Sequence, residues 1–176
     1  MEYLLKSGIL YQIKDGKRAE PLARIKNRFC GSAREILTPD GKELSWTDIR
    51  HLDHHPGGTA SQKYILYGEN GGELMTALPC YAEGDDPAVV GWPVCRAPRV
   101  NRAAICRGEE QFCLVMQNSQ NYFMTDQQGQ TVLQIVHMGI TGGWKITALK
   151  ELGPDFLCSL FIFCRYLEQE NEFITV

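Results

Sequence analysis

Residues 154–170 read Pro-Asp-Phe-Leu-Cys-Ser-Leu-Phe-Ile-Phe-Cys-Arg-Tyr-Leu-Glu-Gln-Glu. Pro154, directly after Gly153, suits the first position of a helix, and Asp155 puts a carboxylate in the first turn, where the helix dipole favours it. From Phe156 to Cys164 every residue except Ser159 is apolar. The apolar surface therefore runs right round the helix, and such a helix has to be enclosed. The run is far shorter than the roughly 20 residues that span a bilayer, and Arg165, Glu168 and Glu170 follow at once. The expectation is a helix buried inside protein, with the rest of the chain arranged around it.

What precedes it reads as strands and turns. Tyr3–Lys6 and Ile9–Lys14 are strand candidates, and Asp15-Gly16 is a hairpin signal because both central residues of that turn need positive φ. Lys17–Phe29 alternates in its second half, with Ala23, Ile25, Asn27 and Phe29 on one face and Arg24, Lys26 and Arg28 on the other. Ser32–Thr38 and Lys42–Arg50 flank Pro39-Asp40-Gly41, and Gln62–Tyr67 and Glu73–Pro79 flank Asn70-Gly71-Gly72. Asn101–Cys106 pairs with Gln111–Gln117 around Arg107-Gly108, and Asn121–Thr125 with Gln130–Met138 around Gln127-Gln128-Gly129. Gly143–Leu149 is the last strand before the helix, and Phe173–Val176 is a candidate edge strand. Short strands at hairpin spacing, followed by one enclosed helix, predict a mainly β fold. The expected form is one domain over 1–176, a closed barrel of about twelve strands around the C-terminal helix.

The unit Glu35-Ile36-Leu37-Thr38-Pro39-Asp40-Gly41-Lys42-Glu43-Leu44 recurs loosely as Tyr122-Phe123-Met124-Thr125-Asp126-Gln127-Gln128-Gly129-Gln130-Thr131-Val132-Leu133. The second copy runs on to Gly142-Gly143-Trp144-Lys145-Ile146 and then to the helix. This pattern resembles the tubby C-terminal-like superfamily, which includes the LURP-one-related proteins and is structurally similar to phospholipid scramblases. The resemblance implies a twelve-stranded barrel around a central hydrophobic helix. It also implies phospholipid or phosphoinositide binding by basic surface residues.

A net charge of −3 implies neither a nucleic-acid nor a membrane partner for the molecule as a whole. The charge is uneven, however: residues 1–34 carry +5 and the remainder −8. Arg24, Lys26 and Arg28 project from one strand face about 7 Å apart, a ladder suited to anionic groups. Arg96, Arg99, Arg102 and Arg107 add a second basic group. The expected function is non-enzymatic binding of anionic phospholipid headgroups by a cytoplasmic protein that sits peripherally at a membrane. One alternative is a protein-interaction scaffold using the irregular 81–99 segment. The other is a metal-dependent enzyme at His51, Asp53 and His54, although adjacent His54 and His55 diverge and Pro56-Gly57-Gly58 marks a loop.

No nucleophile elbow and no phosphate-binding loop is present, so neither catalytic residues nor a cofactor is expected. The seven cysteines are odd in number and include no Cys-x-x-Cys, which points to a reducing compartment and free thiols. The N-terminal residues lack the long apolar region and small-residue cleavage site of a signal peptide.

Overall fold

The computed structural model describes residues 1–28, 31–86, 98–140 and 142–172. Twelve strands occur in these residues: β1 (Glu2–Lys6), β2 (Ile9–Lys14), β3 (Lys17–Asn27), β4 (Arg34–Leu37), β5 (Glu43–His51), β6 (Gln62–Gly68), β7 (Glu73–Tyr81), β8 (Val100–Arg107), β9 (Glu110–Asn118), β10 (Asn121–Thr125), β11 (Thr131–His137) and β12 (Trp144–Ala148). One helix, α1 (Pro154–Glu172), follows them. Each strand pairs antiparallel with the next in sequence, and β12 returns to β1, so the sheet closes into a barrel. At the seam Leu5 lies opposite Trp144 and Tyr3 opposite Ile146. The N-terminal ammonium of Met1 donates to Ala148 O at 2.7 Å and fastens the same edge. Closure leaves no unpaired edge among the described strands to template aggregation.

Alternation along each strand fills the interior. Tyr3 and Leu5, Leu10, Ala23, Ile36, Tyr64 and Leu66, Met75 and Ala77, Ala103 and Ile105, Leu114, Tyr122 and Met124, Leu133 and Ile135, and Ile146 are all buried. The helix runs among them from the hairpin end, where Asp15-Gly16 and the β8–β9 turn lie, to the opposite end. Phe156 through Leu160 are buried one after another, and β3, β4, β5, β6, β8 and β9 all come within reach of the helix. The small side chains Ala23 and Ala103 let the helix approach β3 and β8 closely from two sides. At its far end Asn171 clamps α1 to β8: its Oδ1 accepts from Val100 N at 3.0 Å and its Nδ2 donates to Val100 O at 2.8 Å.

Three details differ from the sequence reading. Phe161 is only half-buried and packs edge-on against Trp144, so the helix is not apolar-enclosed at that position. Asn27 is exposed rather than inward, because β3 ends there and the alternation lapses. β4 is confined to Arg34–Leu37, and the Arg34 guanidinium turns back to cap the carbonyls of Gly31, Ser32 and Ala33. Phe29 and the proposed edge strand Phe173–Val176 lie outside the described residues. Among the described residues no helix is long and apolar enough to cross a membrane.

Candidate functional site

The two basic groups do not converge. β3 and β8 are five strands apart around a ring of twelve, so Arg24, Lys26 and Arg28 occupy one side of the barrel and Arg99, Arg102 and Arg107 nearly the opposite one. Arg96 lies outside the described residues. Within each group the side chains also differ in what already holds them.

Arg24 and Lys26 point outward from β3, flanking the inward Ile25, and both are exposed. Neither has an ion-pair partner among the described residues. Arg28 is different. Its Nε donates to Glu35 and its second guanidinium nitrogen to Glu43, each at 3.2 Å, and the guanidinium lies 4.6 Å from the centroid of the Trp46 ring. Trp46 stacks in turn on Tyr67 at 4.1 Å. Arg28 is thus a structural clamp across β3, β4 and β5, and only two rungs of the expected ladder remain available to a ligand.

On the other side, Arg99 donates its Nε to the buried carboxylate of Asp85 at 3.0 Å. Arg102 reaches Tyr81 O at 3.4 Å from two nitrogens. Arg107 spreads over the Phe156 ring at 4.6 Å and pairs with Glu110 at the hairpin end. These three hold the local structure together. The irregular 81–99 segment is described only at 81–86 and 98–99, so a scaffold role for its middle falls outside the described residues.

His51 ends β5, and Asp53 and His54 follow in an exposed loop. The ring of His55 turns toward Thr59 Oγ1 at 3.3 Å rather than toward the other histidines. Among the described residues no three His, Cys, Asp or Glu side chains come together to hold a metal ion.

Each end of the barrel has a depression. At the hairpin end a cleft of about 440 Å³ has an apolar floor of Phe112, Met124, Val132 and Phe156 and a rim of mixed charge that includes Arg107, Lys150, Glu109 and Glu110. At the far end a smaller one, about 250 Å³, is lined by His51, Gln62, Tyr166 and Glu170, among others. Beneath it lies a polar network. The Tyr166 hydroxyl donates to Ser32 O at 2.6 Å and accepts from Thr47 Oγ1 at 2.9 Å, and Tyr64 donates to Glu170 Oε1 at 3.1 Å. Burial pushes the Tyr166 hydroxyl up to about 12 and raises the Glu170 carboxyl above the ordinary carboxylate range. The Tyr64 hydroxyl and His51 oppose the rise at Glu170 without cancelling it.

Two exposed apolar residues, toward the same end of the barrel as Arg24 and Lys26, were not expected from the sequence. The connection from β11 to β12 carries Met138 and Ile140, both exposed, and Ile140 is wholly so. The signal lay in the string Met138-Gly139-Ile140, apolar residues set among glycines in a turn, where polar side chains are the norm.

No protein-family model matches the chain, and no curated protein matches it. Among solved structures, the X-ray structure of a protein from Arabidopsis thaliana is similar over 84% of this chain and 90% of that one, at 12% identity and a TM-score of 0.39. The barrel rests on this chain's own strand pairing, not on that likeness.

Proposed function

We propose that this chain is a non-enzymatic binding protein that docks on anionic phospholipid headgroups through the outer face of β3. The observation that carries the reading is the contrast along one short stretch: Arg24 and Lys26 of β3 are exposed and without ion-pair partners among the described residues, whereas Arg28, just past the strand's end, is tied to Glu35 and Glu43. Glu35, opposite Lys26, is already taken by Arg28, so neither Arg24 nor Lys26 has an ion pair among the described residues to break when an anionic layer approaches. The resemblance of the turn units to the tubby-like and LURP-one-related proteins agrees with this reading. So does the +5 balance of residues 1–34. The cytoplasmic leaflet, rich in anionic lipid, is the surface that fits.

Flotation with vesicles of phosphatidylcholine, with and without phosphatidylserine, tests the reading. Each basic residue near such a surface contributes about 1 kcal/mol. Arg24→Gln combined with Lys26→Gln should therefore weaken binding roughly 30-fold if the two effects add. Binding should also fall with salt, since exposed charges are screened beyond about 8 Å at physiological ionic strength. Wild-type protein that stays with the unbound fraction at low salt, or a double variant that floats as well as wild type, would refute the reading.

A further inference from the structure

We propose that Met138 and Ile140 form an apolar tip that enters the interfacial layer of an anionic membrane while Arg24 and Lys26 hold the headgroups. This rests on the function proposed above and names how the same face engages its partner. The described residues of the β11–β12 connection, 138–140 and 142–143, are tightly held. Met138 N donates to Gly143 O at 2.8 Å, and Gly139 and Gly143 have φ of 76° and 80°, which favours glycine. A Cβ on Gly142 would stand 2.3 Å from that of Met138, and one on Gly143 would stand 2.6 Å from Leu5 O. Gly142 and Gly143 therefore lie close against Met138 and the end of β1, and the side chains of Met138 and Ile140 stand in solvent.

The tip is placed beside the basic face by strand register. Gly143 abuts Lys6, Lys6 lies opposite Ile9, and Ile9 lies opposite Arg24. The β1–β2 turn is bonded to β3 as well, because Ile25 N donates to Gly8 O at 2.7 Å. Three strand spacings, roughly 14 Å, separate β12 from β3, and the tip and the cations lie toward the same end of the barrel. Glu35, which lies opposite Lys26 in the register, is engaged by Arg28, and Glu20, four residues before Arg24 on β3, lies away from the tip toward the other end of the strand. An exposed apolar point flanked by cations matches a surface that is anionic outside and hydrocarbon beneath, and burial of apolar side chains there adds to electrostatic attraction.

The test compares wild type, Met138→Ser/Ile140→Ser and Arg24→Gln/Lys26→Gln, each checked for an unchanged circular dichroism spectrum. Vesicle flotation measures binding, and the surface-pressure rise of a phosphatidylserine-containing monolayer measures insertion. The serine variant should lose roughly tenfold to a hundredfold in vesicle affinity, keep the wild-type salt dependence and raise no monolayer pressure. The glutamine variant should lose affinity and show a flatter salt dependence. Wild type that floats but raises no pressure, or a serine variant that binds in full, overturns the insertion while leaving headgroup binding intact, and the tip would then be assigned to a protein partner. Wild type that binds no vesicle overturns both.

Discussion

Replacing Phe163 with alanine tests whether the helix is enclosed in the way described. Phe163 is fully buried and meets Tyr64 at 5.7 Å and Tyr166 at 6.2 Å between ring centroids. Deleting a ring from such a site removes its transfer energy and leaves a cavity, a loss of about 3–5 kcal/mol. Phe161, two residues away, is half-buried and contacts Trp144 edge-on at 5.3 Å. Phe161→Ala should cost about 1–2.5 kcal/mol, from partial burial plus one aromatic contact. In a chain of 176 residues each kcal/mol moves the midpoint by roughly 2–4 °C. The expected falls in Tm are thus about 6–20 °C for Phe163→Ala and about 2–10 °C for Phe161→Ala. Urea titration followed by far-ultraviolet circular dichroism gives the same ranking as a shift in midpoint concentration. If the two variants lose equal stability, or Phe161→Ala loses more, the helix does not present the faces described and the core assignment is wrong.

Tyr166→Phe strands the buried Thr47 hydroxyl without its acceptor and should cost about 1–3 kcal/mol in chemical denaturation; a loss below about 0.3 kcal/mol would show that Thr47 has found another partner. Burial raises the Glu170 carboxyl pKa in the folded state, so the folded protein holds that proton more tightly than the unfolded chain. Its contribution is therefore fully present below the unfolded value, about 4.3, and is lost as pH rises through the higher folded value. Glu170→Gln should flatten stability against pH in that window, and an unaltered slope in the variant would assign it to other groups. Cys106 is exposed whereas Cys158 and Cys164 are buried with thiols raised well above the usual range. Alkylation of the native protein, read by peptide mass, should modify Cys106 and spare the two helix cysteines until the protein is unfolded; early labelling of Cys158 would mean that the helix end opens readily.

The strands were legible because their ends are written in local chemistry. Asp15-Gly16 and Asn70-Gly71-Gly72 bias a turn regardless of what lies across the sheet, and the unbroken apolar run after Pro154 demanded enclosure whatever surrounded it. The state of each arginine was not legible. Arg24 and Arg28 share a nominal face in the sequence, yet β3 ends at Asn27 and only the folded chain brings Glu35, Glu43 and Trp46 to Arg28 just past it. Whether the two basic groups meet was equally hidden, since it depends on the number of strands between β3 and β8 around the closed sheet. Phe161 looked no different from Phe163, because an all-apolar run gives no phase from which to tell the thinner wall of the enclosure.

The seam between β1 and β12 joins segments far apart in the chain, with Glu2 opposite Thr147, and the helix at the centre comes after all twelve described strands. A ribosome therefore delivers the wall before the core that fills it. Sequential hairpins can form as they emerge, but the first strand waits for the twelfth and the interior stays unfilled until residues 156–167 are released. Pairing over such separation must meet its loop-closure entropy before any contact rewards it, so closure is slow and late. Until then the inward side chains of eleven strands have nothing to pack against, and nascent chains are most exposed to aggregation in that interval.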